Sequence, residues 1–124
     1  MAENGTLVIF AGVARTATVT SDEINNRGAR GLLVVVNSTA ITATPIVTPS
    51  LQAYDTASST WVTVWTAAAT ITTATTTTYM IYPGASGGNF TEVDGVPIPA
   101  RFRLVFTHTD ADSITYSVGA HLLI

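Results

Sequence analysis

The feature that most constrains this sequence is its abundance of β-branched residues combined with almost no helical periodicity. Threonine alone occurs 23 times among 124 residues. Thr, Val and Ile lose side-chain freedom in a helix but fit well on the pleated surface of a sheet. Apolar residues spaced three and four apart, as an amphipathic helix requires, are scarce. The sequence therefore predicts an all-β protein, and its length is near the common size of a single domain.

Runs of apolar and β-branched residues, separated by turn-rich stretches, predict seven strands and one further strand or arm. The seven strands are residues 15–20, 31–37, 46–54, 61–67, 77–82, 100–108 and 114–123, and residues 6–10 form the eighth strand or arm. Strands of this length and spacing are typical of a sandwich or barrel. We expect a single-domain, jelly-roll-like β-sandwich of about seven to eight antiparallel strands. Residues 1–13 are predicted to be an N-terminal arm or first strand, and residues 14–124 the sandwich domain.

Alternation of apolar and polar residues predicts which face of each strand is buried. One strand places Phe102, Leu104 and Phe106 opposite Arg101 and Arg103. The last strand places five apolar residues on one face, namely Ile114, Tyr116, Val118, Ala120 and Leu122. Residues 31–36 do not alternate, which indicates a strand covered on both faces or lying at a subunit contact.

Charge and composition exclude several classes of function. The sequence has no cysteine and no lysine, and its five arginines stand against eight acidic residues, giving a net charge of −3. No basic patch is large enough to grip nucleic acid by counterion release, so we expect no nucleic-acid partner. No cofactor-binding motif is present, and thiolate metal sites are excluded.

The mean hydropathy of +0.39 requires burial of apolar surface inside the fold or against neighbouring chains. No apolar run reaches the length of a membrane-spanning helix, and we expect no membrane partner. Residues 7–14 resemble the apolar region of a signal peptide, but Glu3 precedes them and no basic residue does. We therefore expect no signal peptide.

The sequence gives weak indications of catalysis. His108 lies near Asp110, Asp112 and Ser113, residue types that can form a catalytic triad. However, these residues flank one predicted turn between two strands, and no nucleophile elbow is visible. We interpret them as an Asp-rich turn and expect no enzyme activity, no catalytic residues and no metal site.

The large aromatic residues allow two interpretations. Trp61 and Trp65 are four residues apart, so a regular strand places them on one face, either in the core or as a sugar-stacking platform. We favour the core. Phe90 lies in a Gly-rich irregular stretch, residues 83–99, and is either an anchor onto a partner or a cover over one end of the sandwich.

Seven residues are candidates for a partner or subunit interface. Three arginines on strands could form carboxylate pairs across a subunit boundary, or could be ordinary solvated charges. The apolar N-terminal segment and the loop aromatic complete the set, which is Leu7, Ile9, Phe10, Arg15, Phe90, Arg101 and Arg103.

Five segments resemble the small decoration, or cement, proteins of tailed-bacteriophage capsids. They are ARTAT at 14–18, RGLLVVV at 30–36, TPSLQAYD at 48–55, YPG at 82–84 and DADSITYSVGA at 110–120. The resemblance spans nearly the whole chain, and the last segment is its most specific part.

This resemblance implies a homotrimeric jelly roll or related sandwich over threefold or quasi-threefold axes of the capsid. Its role would be mechanical, clamping neighbouring major capsid subunits on the outer surface of the virion after synthesis in the host cytoplasm. Two alternatives remain: a tail or fibre component, and a carbohydrate-binding module that uses Trp61, Trp65 and either Tyr54 or Tyr82.

Overall fold

The computed structural model describes residues 5–26 and 28–124, and every regular element in them is a β-strand. The strands are β1 (Gly5–Arg15), β2 (Val19–Thr20), β3 (Ile24–Asn25), β4 (Gly31–Ile41), β5 (Val47–Asp55), β6 (Thr60–Thr66), β7 (Thr76–Ile81), β8 (Glu92–Asp94), β9 (Arg101–His108) and β10 (Ile114–Leu123). No helix that could span a membrane occurs in this described part of the chain.

The strands form two sheets that enclose one core. Sheet A has the order β1-β10-β4-β7-β8, and sheet B has the order β2-β9-β5-β6, with β3 also pairing with β9. The predicted all-β sandwich is confirmed. The described residues contain ten strands rather than seven or eight, and the pair β7 and β8 is parallel, whereas the other strand pairs are antiparallel.

The core lies between the inner faces of the two sheets. The predicted inner faces of β9 and β10 are confirmed, because the apolar sets named above are all buried. Phe106 stacks on Tyr116 across the sheets, with ring centroids 5.8 Å apart. Burial of this apolar surface is the main force that holds the two layers together.

Strand β4 is covered more on one face than on the other. Leu32, Val34 and Val36 are completely buried, whereas Leu33 and Val35 on the opposite face are partly exposed. The prediction of cover on both faces is therefore wrong for the outer face of β4, and the alternative of a subunit contact on that face stays a prediction.

The N-terminal region departs from the predicted boundaries. Strand β1 is 11 residues long, pairs along β10 and runs through position 13, where the sequence suggested that the arm ends. Residues 16–18 lie outside any strand, so the predicted strand at 15–20 is wrong except at its two ends.

The long stretch of residues 83–99 is tied to both sheets by polar contacts. Thr78 and Thr91 exchange two hydrogen bonds of 3.1 Å between the backbone N–H of each and the hydroxyl of the other. Trp65 Nε1 donates to Asp94 Oδ2 at 2.7 Å. The threonine bonds hold the chain leading into β8 beside β7, and the Trp65 bond ties β8 to β6. Periodicity could not predict the parallel pairing of β7 and β8.

Candidate functional site

A β-bulge in β6 separates the two tryptophans onto opposite faces of sheet B. Trp61 pairs with Tyr54, Thr63 with Gln52, and Trp65 with Leu51, which leaves Val64 as an extra residue. Because side chains alternate along a strand, one extra residue reverses every face beyond it. The prediction that both tryptophans share a face is therefore wrong.

The two tryptophans consequently have different surroundings. Trp65 is 6% exposed and belongs to the core, where its ring meets the edge of Tyr79 at a centroid distance of 5.7 Å. Trp61 is partly exposed on the outer face of sheet B. The core interpretation is confirmed for Trp65 and wrong for Trp61.

Trp61 belongs to a cluster on this outer face that we call the arginine–aromatic patch: Gln52, Tyr54, Trp61, Arg101 and Arg103. The Arg103 guanidinium carbon lies 4.3 Å from the Trp61 ring centroid, and that of Arg101 lies 4.2 Å from the Tyr54 centroid. The two rings meet edge to face at 5.1 Å. Each arginine thus makes a cation–π contact, which orients a planar guanidinium along the sheet surface.

The two arginines of the patch differ in their polar partners. Arg101 donates from Nε and Nη2 to the two carboxylate oxygens of Glu23, at 2.9 and 2.7 Å. The hydrogen bonds from Arg101 lower the pKa of Glu23. Arg103 instead donates from Nε to the neutral Gln52 Oε1 at 2.7 Å.

The outer face of sheet A has a very different composition. Its strand residues include no Asp, Glu, Lys or Arg. We call it the uncharged face: Thr6, Val8, Leu33, Val35, Asn37, Thr76, Thr78, Met80, Val93, Thr115, Ser117, Gly119, His121 and Leu123. Val8, which lies opposite Gly119, is 83% exposed.

Arg15 uses its guanidinium within the chain. Nη1 donates to the carbonyl oxygens of Val13 and Tyr116, and Nη2 donates to that of Ala11 at 2.6 Å. Its carbon also lies 4.6 Å from the centroid of the Tyr116 ring. These contacts hold the irregular end of β1 against β10, so the structure gives Arg15 a structural role, and its interface role stays a prediction.

The other predicted interface residues lie in three settings. Leu7, Ile9 and Phe10 pack partly against the core, and the first two line a groove of about 290 Å³ between β1 and residues 21–25. Phe90 is partly exposed, and its ring lies against Gly88, where an added Cβ would be 2.7 Å from Cε2. Of the seven candidates, the structure brings Arg101 and Arg103 together in the arginine–aromatic patch.

The histidine and acidic residues of the predicted turn have separate partners. His108 Nε2 lies 2.9 Å from Tyr116 Oη, and burial and the Arg15 charge lower the pKa of this histidine. Asp112 Oδ2 accepts a hydrogen bond from the backbone N–H of Thr44. Within residues 5–26 and 28–124, no three His, Asp or Glu side chains are grouped so that they could hold a metal ion.

Sequence reasoning missed Gln52, Thr63 and Glu23 as members or supports of the patch. Gln52 Nε2 donates to Thr63 Oγ1 at 3.3 Å, so the amide that orients Arg103 is itself held. One signal was available, because Tyr54 ends one predicted strand and Trp61 begins the next, and the two residues pair across the turn. The other contacts depend on the register of three strands.

No protein-family model matches the chain, and no curated protein or solved structure matches it at a significant level.

Proposed function

We propose that this chain is a structural virion protein that decorates a bacteriophage capsid and clamps neighbouring major capsid subunits. The observation that carries the proposal is the uncharged face of sheet A, which presents Thr, Val, Leu and Met side chains across five strands. Depletion of charge is typical of the centre of protein interfaces.

The extent of this face suits a stable contact. A strand spacing of about 4.8 Å and a rise of about 3.3 Å per residue give it a footprint on the order of 600 Å². Each partner in a standard protein interface buries about 800 Å². The outer face of sheet A alone therefore supplies most of the area that a standard interface buries on each partner.

The expected assembly is a homotrimer over threefold or quasi-threefold axes of the shell, with the major capsid protein as the partner. Three copies held together would each contribute a contact, and the second and third contacts form at high effective concentration. Closed symmetry also limits growth, since an apolar contact that does not close on itself produces fibres.

Co-sedimentation tests this function and separates it from the tail or fibre alternative. The purified protein is mixed with mature heads stripped of decoration, and with isolated tails, from the phage that encodes it. We expect saturable binding at many copies per head and none on tails. Binding to tails alone, or to neither particle, would refute capsid decoration.

A second candidate, a carbohydrate-binding module, is favoured by the exposed position of Trp61 beside Tyr54. Aromatic faces on a sheet surface can stack on sugar rings. Here Arg103 and Arg101 each cover one ring face, which leaves less aromatic surface for a sugar. A glycan-array hit that also changes Trp61 fluorescence, and loses the change in Trp61→Phe, would establish this candidate.

A further inference from the structure

Arg103 is held in place by two contacts. Its guanidinium carbon lies over the Trp61 ring at 4.3 Å, and its Nε donates to Gln52 Oε1 at 2.7 Å. Gln52 is in turn bound to Thr63. The side chain is partly buried, so little conformational freedom remains to be lost when a ligand binds.

Arg103 also keeps hydrogen-bonding capacity that the other patch arginine has used. Arg101 forms the one salt bridge found among the described residues, and both carboxylate oxygens of Glu23 are engaged by it. No hydrogen bond from the Nη atoms of Arg103 occurs within the described part of the chain. The patch therefore carries one neutralised and one uncompensated positive charge.

We propose that Arg103, stacked on Trp61, is a binding site for a carboxylate side chain of an acidic protein segment. Both Nη atoms lie at the end of a planar fork whose N–H spacing matches the two oxygens of a carboxylate. The aromatic ring beneath the fork lowers hydration of the cation and strengthens the attraction.

Charge complementarity selects this occupant over an apolar one. The patch contacts of Arg103 are with the neutral amide of Gln52 and the indole of Trp61, and Arg103 forms no salt bridge within the described residues. The Asp55 carboxylate accepts hydrogen bonds from Ser58 within its own turn. An incoming Asp or Glu would thus supply the ion-pair partner that Arg103 lacks within the described residues.

The site goes beyond the proposed function and can fail separately from it, because its test needs no capsid. A blocked oligoglutamate peptide is titrated into the protein at constant ionic strength, with the oligoglutamine peptide as the uncharged control. The readout is the NMR signal of the Trp61 indole N–H, assigned with Trp61→Phe.

Two variants separate a specific site from general attraction between opposite charges. Arg103→Lys keeps the charge but loses the planar fork and its stacking, and we expect about tenfold weaker peptide binding. Arg30→Gln is the matched control, since it removes an exposed arginine that belongs to no part of the patch, and we expect less than about twofold change.

Three peptide results would overturn the proposal, and so would one result with inorganic phosphate. The peptide results are the absence of saturable binding of oligoglutamate, equal loss of binding in the two arginine variants, and equal binding of the oligoglutamine peptide. Inorganic phosphate, titrated in the same way, must also bind more weakly than the peptide. Tighter phosphate binding would replace the protein carboxylate with an inorganic anion and refute the proposal.

Discussion

The two outer faces of the sandwich differ in how many contacts their side chains make within the chain. On sheet B, Tyr54, Trp61, Arg101 and Arg103 contact one another or neighbouring side chains of the same chain. On sheet A, the uncharged face presents Val8 at 83% exposure with no ion pair among its strand residues.

The two faces therefore contribute differently to the stability of the isolated chain. The contacts of the arginine–aromatic patch contribute to the stability of the isolated chain, apart from the unused Nη atoms of Arg103. The most exposed side chains of the uncharged face, such as Val8, contribute little to the isolated chain, because most of their surface is in contact with solvent. Substitutions on the first face should therefore change stability, and those on the second should change association.

The largest expected effect compares the inner and outer tryptophans of sheet B. Trp65→Ala removes a buried side chain and its bond to Asp94, so we expect a loss of about 3–5 kcal/mol of unfolding free energy. Trp61→Ala removes a surface cation–π contact worth about 1 kcal/mol. Urea denaturation of both variants measures the difference, and equal losses would contradict the reversal of faces at Val64.

A smaller effect distinguishes the faces by salt. Raising NaCl from about 0.1 M to about 1 M shortens the screening length from about 10 Å to about 3 Å. Binding of oligoglutamate at Arg103 should weaken by about tenfold or more, since it rests on charge. Attachment to capsids through the uncharged face should change by less than about twofold, as measured by co-sedimentation. Equal sensitivity of the two associations would show that both use charged surfaces.

The smallest effect concerns pH on the patch. Hydrogen bonds from Arg101 lower the pKa of Glu23 in the folded state, so the pair stabilises the fold at neutral pH. This contribution is lost as pH falls below about 4 and Glu23 becomes protonated. The melting temperature of Glu23→Gln should therefore be lower than that of the wild type at pH 7. At about pH 2 the two melting temperatures should be equal.

Asp22→Asn is the control for this comparison, because Asp22 is exposed and makes no salt bridge within the described residues. We expect its melting temperature to follow the wild type at both pH values. The same acid dependence in Glu23→Gln as in the wild type would mean that the Arg101 pair does not stabilise the fold.

The sequence predicted those parts of the fold in which alternation is regular. The buried faces of β9 and β10 follow directly from residues such as Phe102, Leu104 and Tyr116. The length of β1 could not be predicted, because its pairing with β10 is long-range and two irregularities interrupt its alternation.

The arginine–aromatic patch could likewise not be predicted, because it too depends on pairing between strands that are distant in sequence. Arg101 and Arg103 were identified as lying on a polar face, but their partners come from other strands. A single extra residue, Val64, moved Trp61 to that face. Periodicity within one strand carries no information about a bulge, which arises from pairing with the neighbouring strand.

The most direct test of the central claim places one negative charge on each side of the sandwich. Val8→Glu puts it on the uncharged face, and Thr66→Glu puts it on the outer face of sheet B, where the exposed Thr66 pairs with Ser50. Both variants should remain folded, because each side chain is largely solvated. In co-sedimentation with stripped heads, Val8→Glu should bind at least about tenfold more weakly than Thr66→Glu, since the charge buried at the Val8 position has no partner. Wild-type binding by Val8→Glu would contradict attachment through the uncharged face.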